Sequence, residues 1–443
     1  MLGKHIVRQF IIQILGVFVG FITSIITTRI LGASGRGDFA LILNTSAFLN
    51  LVLGFSLGPG IVHFVSSEKA PLREIINTIS LIILVLTVLC IFLMLFFPFR
   101  QFDFFLPAES PQGFNESIIL VLFITMLYSM LFNALISGKQ LFQHQQKSYL
   151  FFIMPFSLIS YLLLYYVSKK TEIEFTSFML FYVFLSIVPV LILFIIYLKY
   201  ARPTFSFTFL KNIQLKHILN FSFLAYLANM FQFLSYRMDF WFIQYYSGSK
   251  QLGFYSLSVN LAQLLWLLPQ AVSSILISYS GSGDEQVAIN QTNILSRISI
   301  TILFCATIFL ELSIHLIIPF LYGKEFEESV FTFQLLLIGI MPFSITTILA
   351  SYFAGKGIIK INLYGSLLGF LICLVFDFLL IPSFGIKGAA FATICSYLFS
   401  TAFTVFVYLR KTKSSLSELL IITKTDVLML KNKINSKFLF QEK

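Results

Sequence analysis

The sequence predicts an all-α polytopic membrane protein of twelve transmembrane helices, arranged as two six-helix parallel repeats around a central cavity. Two observations predict the class. Of the 443 residues, 58% are hydrophobic, 17% aromatic and only 11% charged, a balance that no soluble class shows. The apolar residues also fall into runs of about 20, the length that crosses a bilayer as a helix. A third observation predicts the repeat. Arg29–Leu41, reading RILGASGRGDFAL, is echoed 216 positions on by Tyr245–Leu257, YYSGSKQLGFYSL. In each, an apolar segment meets a short turn of Gly, Ser and charge, and Gly37 or Gly253 opens the next apolar segment. Ser137-Gly138-Lys139 against Ala354-Gly355-Lys356 keeps the offset at 217, and the Pro-Phe pairs at Pro98 and Pro319 keep it at 221, as a duplication would.

In chain order, the N-terminal half (1–198) holds spans at 9–31, 39–65, 75–98, 116–138, 149–168 and 176–198. A polar linker, 199–216, leads to the C-terminal half (217–409), with spans at 217–241, 252–279, 297–321, 331–354, 360–383 and 387–409, and then to a basic tail, 410–443. Met1–Arg8 leads into a run long enough to stay as a span, so no cleavable signal peptide is expected. An even number of spans puts both ends on one side. Of the 30 Lys and Arg, 21 lie on the side of the termini and 8 on the other, which makes both termini cytoplasmic. The net charge of +11 then reflects anchoring to anionic lipid rather than nucleic-acid binding.

Several activities are excluded. No outer connection exceeds roughly 18 residues, whereas polymerases and glycosyltransferases that act on lipid-linked sugars need large outer loops or a soluble domain, so the chain is not expected to be an enzyme. There is no GxxxxGK[ST] phosphate loop, and uphill work must draw on an ion gradient, the membrane potential or consumption of the product. Cys90, Cys305, Cys373 and Cys395 lie in apolar runs without paired spacing and read as buried free thiols; neither a metal nor a cofactor is implied.

Polar residues mark a cavity. Span 1 carries Gln9, Gln13, Gly16, Gly20, Thr23 and Thr27 on one face, read either as small-xxx-small packing at Gly16 and Gly20 or as a wet surface. Span 7 carries Asn229, Gln232, Tyr236 and Asp239, and span 8 carries Ser256, Asn260, Gln263 and Gln270. Asn44 plus 216 is Asn260, and Thr23 plus 216 is Asp239, so equivalent helices hold polar groups at equivalent depths. Spans 1, 2, 7 and 8 are expected to line the cavity, with Thr23, Asn44, Asn229, Gln232, Arg237, Asp239, Asn260 and Gln263 as its substrate-facing groups. Spans 3 and 6, nearly uninterrupted Leu, Ile, Val and Phe, are expected at the periphery.

Ionisable groups inside spans are expensive and so are candidates for function. Arg237 and Asp239 lie near the outer end of span 7, with interfacial snorkelling as the alternative. Glu311 and His315, one turn apart in span 9, could share a proton or make a structural hydrogen bond. Asp377 in span 11 could titrate or bind a neighbouring backbone. Asp239, Glu311, His315 and Asp377 are therefore the candidates for cation or proton coupling. His63, Lys139 and Lys356 lie near inner ends, where anchoring is the default, and Lys139 and Lys356 are also candidate gate residues. Arg29, Arg36 and Asp38 border the outer turn as a turn lock or a cavity rim.

Asp377–Thr393, DFLLIPSFGIKGAAFAT, ends one helix at Leu-Ile-Pro and starts the next at Gly388-Ala389-Ala390, small enough for close contact. This stretch resembles the signature of Wzx-type polysaccharide flippases of the multidrug, oligosaccharidyl-lipid and polysaccharide exporter superfamily. Arg29-Ile30-Leu31-Gly32 with Gly37 resembles that family's first turn, and Pro319–Phe326, PFLYGKEF, its Leu-Tyr-Gly-x-x-Phe after span 9. The resemblance covers about residues 5–410. Asp377 stands where the family often has Asn. Twelve spans, and no basic residue between Arg8 and Arg29, depart from the fourteen-span flippases of lipid-linked peptidoglycan precursors.

The resemblance implies transport of undecaprenyl-pyrophosphate-linked oligosaccharide from the inner to the outer leaflet of a bacterial cytoplasmic membrane, for surface polysaccharides such as O-antigen. It also implies a polysaccharide polymerase and a chain-length regulator as partners besides membrane lipid, and no nucleic acid. Amides suit sugar hydroxyls, and a cation suits pyrophosphate. Rocking of the two halves would give alternating access. The alternative is a cation-coupled multidrug exporter of the same fold.

Overall fold

The structure is a computed structural model that describes residues 2–54, 72–96, 105–107, 114–138, 141–201, 212–281, 284–424 and 426. Its long helices are α1 (Leu2–Gly54), α2 (Leu72–Phe96), α3 (Phe114–Gly138), α5 (Met154–Ser168), α6 (Phe175–Ala201), α7 (Asn212–Gln263), α8 (Leu267–Gly281), α9 (Glu285–Tyr322), α10 (Glu328–Gly355) and α11 (Ile359–Thr412). The described residues also include two short helices, α4 (Phe142–Ser148), joined to α5 by a π turn at Tyr149–Ile153, and α12 (Leu416–Leu420). Among the described residues there is no strand, as a bilayer demands of a chain that does not close into a barrel.

Among the described residues eight helices are long and apolar enough to cross a membrane, and the chain is a multi-pass membrane protein. Three of the eight apolar stretches run for 43, 48 and 54 residues, about twice what one crossing needs. Each bends at a single glycine: Gly32 (φ 63°), Gly248 (φ 79°) and Gly385 (φ 55°). The turns expected between spans 1 and 2, 7 and 8, and 11 and 12 are thus one residue deep. Positive φ with ψ far from the left-handed helical value is open to glycine almost alone, which is why one residue can reverse the chain where helix resumes immediately on both sides. Gly32 and Gly248 are 216 apart, the offset of the sequence echo. The end of span 2 beyond Gly54, His63, Lys139 and most of the linker 199–216 lie outside the described residues.

The chain divides into two compact units. One comprises Met1–Ser256 with Pro319–Glu327; the other comprises Leu257–Ile318 with Glu328–Lys443. In the first, Ile26 and Ile42 from the two arms of α1 pack with Ile118, Ile119 and Leu122 of α3, Tyr161 of α5 and Phe178 of α6. A second cluster joins Ile83 of α2 to Leu127, Leu131 and Leu135 of α3 and to Leu193 and Ile196 of α6. The other faces of α2 and α6 are apolar and exposed, with Leu84, Val88, Phe184 and Ile195 all more than half accessible. In a membrane protein such a stripe faces lipid, as the peripheral placement of spans 3 and 6 requires.

In the second unit the two arms of α11 fold back on each other. Ser396 Oγ donates to the Gly369 carbonyl at 2.9 Å and Ser400 Oγ to Gly365 at 3.2 Å. Two glycines admit the facing helix closely enough for these bonds, the small-residue contact that holds helices together in lipid. At the bend, Ala389 and Ala390 are fully buried, and a side chain at Gly388 would overlap the Leu380 carbonyl, so the Gly-Ala-Ala start does bring the second arm close. Gly355, at the end of α10, likewise meets Ser280 and Ile277 of α8. A hydrophobic cluster of Ala288, Ile289 and Ile300 (α9), Leu349, Tyr352 and Phe353 (α10), Tyr408 (α11) and Leu419 (α12) closes one end of the unit.

Candidate functional site at the paired glycine turns

The two echoing turns meet inside the first unit. A side chain at Gly37 would overlap the Ser249 carbonyl, and one at Gly253 would overlap the Ala33 carbonyl. Ala33 and Ser249, like Gly37 and Gly253, are 216 apart. The contact is reciprocal: each stretch offers the same glycine to the same carbonyl position of the other, as a twofold relation between them requires. Ser249 Oγ also donates to Asp38 Oδ1, and Gln244 Nε2 donates to Ser249 Oγ at 3.1 Å. Asp38 thereby bridges the two turns.

The Leu-Tyr-Gly-x-x-Phe stretch docks on this crossing. Arg29, exposed at the bend of α1, donates from Nε to the Leu321 carbonyl and from Nη2 to the Phe320 carbonyl, each at 2.7 Å. It caps the last carbonyls of α9, which have no helical partner and carry the negative end of the helix dipole. Arg36 is buried, donates to Thr28 Oγ1 and lies beside Tyr322. The Tyr322 ring meets Phe21 edge-on at 6.5 Å, Gly323 turns the chain at φ 111°, and Phe326, 1% exposed, meets Phe254 edge-on at 5.6 Å. Each defining residue of the motif therefore has a task in seating it on the turns. Tyr322, Phe326, Gln244 and Ser249 were not among the sequence-derived site residues; the motif pointed to the first two, and Ser249 stands at the offset position of Ala33.

Arg237 and Asp239 sit just behind. Asp239 is 1% exposed and accepts a hydrogen bond from Tyr255 OH, while the Arg237 guanidinium lies over the Phe240 ring at 4.9 Å. Asn44, expected to line a cavity, is buried, and its Nδ2 donates to the Arg237 carbonyl at 3.2 Å. Next to it Trp241 Nε1 donates to Thr45 Oγ1, which bonds the Phe105 carbonyl. In the same unit Asn229 and Gln232 are exposed on α7, Gln232 donating to Tyr236 OH at 2.7 Å. Thr23 is half-buried and donates to its own helix at Gly20. Of the small-xxx-small pair, Gly16 packs on Met154 but Gly20 faces open space, so packing does not explain the span 1 stripe along its whole length.

In the second unit Asn260 is exposed and Gln263 half-buried. Asp377 is fully buried and accepts from the Cys373 thiol at 3.4 Å. Lys356 is half-buried after α10. Glu311 and His315 are both exposed on α9 and make no hydrogen bond to each other; the Glu311 carbonyl accepts from Gln334 at 3.2 Å. Their face also carries Leu312 and Leu316, 70% and 66% exposed, so it is the outer surface of a peripheral helix. Cys373 is buried but Cys305 is exposed on the same helix as Glu311, which corrects the expectation that all four thiols are buried. Among the described residues no group of His, Cys, Asp and Glu could hold a metal ion.

The fold is that of known transporters. A lipid II flippase, MurJ, in an inward closed conformation superposes with a TM-score of 0.69 at 17% identity, over 98% of this chain and 92% of that one. A multidrug resistance MATE family transporter of the MOP superfamily, inward-facing, superposes at 0.67 and 11% identity, over 89% and 94%. A MOP superfamily transporter from Pyrococcus furiosus with a binding pocket of reverse polarity superposes at 0.53 and 12% identity, over 93% and 97%. No curated protein sequence matches this one. Residues 2–278 match the family described as polysaccharide biosynthesis protein, so this helical membrane chain, with its paired glycine turns, belongs to that family.

Proposed function

We propose that the protein flips undecaprenyl-pyrophosphate-linked oligosaccharide from the inner to the outer leaflet of a bacterial cytoplasmic membrane, by alternating access and without catalysing a covalent step. Membership in the polysaccharide biosynthesis family carries the reading. The chemistry of α7 supports it: Asn229, Gln232 and Tyr236 present donors and acceptors suited to sugar hydroxyls, with Arg237 one residue further as a cation for pyrophosphate. Asn44, Asp239, Asn260, Gln263 and Thr23 complete the proposed substrate path. The reciprocal turns, with Arg29, Arg36 and Asp38, act as its outer gate, and Lys139 and Lys356 belong to the inner one. In this reading the N-terminal and C-terminal halves are the two rocking bodies, both termini are cytoplasmic, and the polymerase and chain-length regulator act next on the product. Deleting the gene should make lipid-linked oligosaccharide accumulate on the cytoplasmic side while its synthesis continues, and surface glycan should fall.

The second reading is a cation-coupled multidrug exporter, and one observation favours it. Asp377 is a fully buried carboxylate in a span where an amide would avoid the cost of charge. Such a carboxylate can carry a coupling proton or cation. The same deletion strain separates the readings: increased accumulation of cationic dyes, with lipid-linked intermediates and surface glycan unchanged, would decide for the exporter.

A further inference from the structure

A polar cavity of about 420 Å³ opens in the second unit, lined by Gln286, Asn290, Asn293 and Arg297 of α9 and by Lys413 and Glu418 of the segment after α11. The segment is clasped there. Arg297 donates from Nη1 to the Glu418 carbonyl at 3.0 Å and from Nη2 to Asp426 Oδ1 at 2.8 Å, and its Nε lies 2.6 Å from Asp426 Oδ2. Asp426, 1% exposed, also accepts from the Thr423 N–H and hydroxyl. Ser415 and Glu418 close a capping box on α12, and Leu419 is fully buried between α9 and α10. Asn293 bridges to Ser414 Oγ and to Tyr408 OH.

Lys413 is the sole non-glycine residue at positive φ among the described residues (φ 57°, ψ 20°). At a helix C-terminus that conformation normally falls to glycine, and a lysine there is strained. It is exposed, lines the cavity and makes no side-chain bond. The cavity thus holds one cation with no partner among the described residues and a second, Arg297, that is held in an ion pair by the tail. Glu418 opposes an anion but is exposed, and its carboxylate accepts from the Ser415 N–H.

We propose that this cavity takes a phosphate-bearing group, first on Lys413 and then on Arg297, where the phosphate displaces Asp426 and releases the tail from α9. A phosphate can present two oxygens to the guanidinium fork as Asp426 does, so the exchange replaces one bidentate pair by another. The amides of Gln286 and Asn290 serve its remaining oxygens. The inference does not depend on what the protein transports; it requires that this face lie at a phosphate-rich side, and an inner leaflet or soluble phosphate could each supply the group.

Hydrogen–deuterium exchange of residues 415–426 in the full-length protein tests it. In vesicles of phosphatidylcholine, whose phosphate is paired with its own choline ammonium, the segment should be protected. Adding phosphatidylglycerol should speed its exchange about tenfold if lipid is the source, and inorganic phosphate should do so in phosphatidylcholine alone if the source is soluble. Asp426→Asn should exchange fast without either. Lys413→Gln should stay protected in both, because the clasp is intact but the first contact is gone. Exchange unchanged by both phosphate sources overturns the proposal. So does an equal acceleration by chloride at matched ionic strength, or an undiminished response in Lys413→Gln.

Discussion

At the scale of single residues, glycines are informative because two in different bent helices do different things. Gly253 has a carbonyl oxygen where its side chain would go, and Gly20 has nothing within 4 Å. Gly253→Ala and Gly37→Ala should each cost about 2 kcal/mol or more through overpacking against backbone that cannot rotate away, whereas Gly20→Ala should be neutral or slightly stabilising. Thermal unfolding in detergent measures both, and equal behaviour of Gly20 and Gly253 would discard the reciprocal contact. Arg237 belongs to this scale too. Arg237→Gln should leave membrane levels near normal and reduce glycan export, with Lys partly restoring it, because a pyrophosphate accepts a point charge without the guanidinium fork. Equal loss of protein in both variants would assign Arg237 to folding.

Asp426 sets a pH limit. Hydrogen bonds from Arg297, joined by those of Thr423, hold its carboxyl at about 2, below the ordinary value of 3.8 and against the effect of burial. A depressed carboxylate contributes stability that is present above its unfolded value and is lost as pH falls through the folded one. The clasp should therefore remain closed between about pH 8 and pH 5, with tail protection in hydrogen exchange flat across that range. Protection lost between those values would mean that another group carries the tail.

At the scale of elements, α1, α7 and α11 show how one residue converts a helix into two spans. Composition predicted the crossings, and the echo at 216 predicted that α1 and α7 would bend alike. Sequence did not predict that helix would run through Arg36, Gly37 and Asp38, since Gly-Ala-Ser-Gly-Arg-Gly is turn chemistry by propensity. Packing overrides it: Gly37 is helical so that the second arm can lie against Ser249. The peripheral helix α9 is held near its ends, by Arg29 on the carbonyls of Phe320 and Leu321 and by Asn293 and Arg297 on the tail segment. Arg29→Ala should free the last carbonyls of α9 and raise hydrogen exchange at Gly323 and Phe326, with Arg29→Lys intermediate because one ammonium cannot serve two carbonyls in a fixed fork. No change at Gly323 would show that Arg29 does not hold the end of α9.

At the scale of the whole molecule, the polar residues fall into two kinds that the sequence does not separate. Asn44 and Asp239 are buried and hydrogen-bonded within the first unit, whereas Asn229, Gln232 and Asn260 are exposed. Asn44 and Asn260 stand at the 216-residue offset and still differ in burial, so the offset alone does not carry a shared environment.

What the sequence alone determined is what depends on composition along the chain: the membrane class, the positions of apolar runs and the offset that pairs the first turn with its echo. Bilayer thickness acts on every span by itself, so a run of about 20 apolar residues is legible without its neighbours. The tertiary structure decided which side of each helix meets protein. In a soluble helix the buried face is the apolar one, but here lipid and core are equally apolar and hydrophobic periodicity no longer distinguishes them. That is why Glu311 and His315 could not be read as outward-facing, Asp239 as the partner of Tyr255, or Arg297 as the anchor of a tail more than a hundred residues further along the chain.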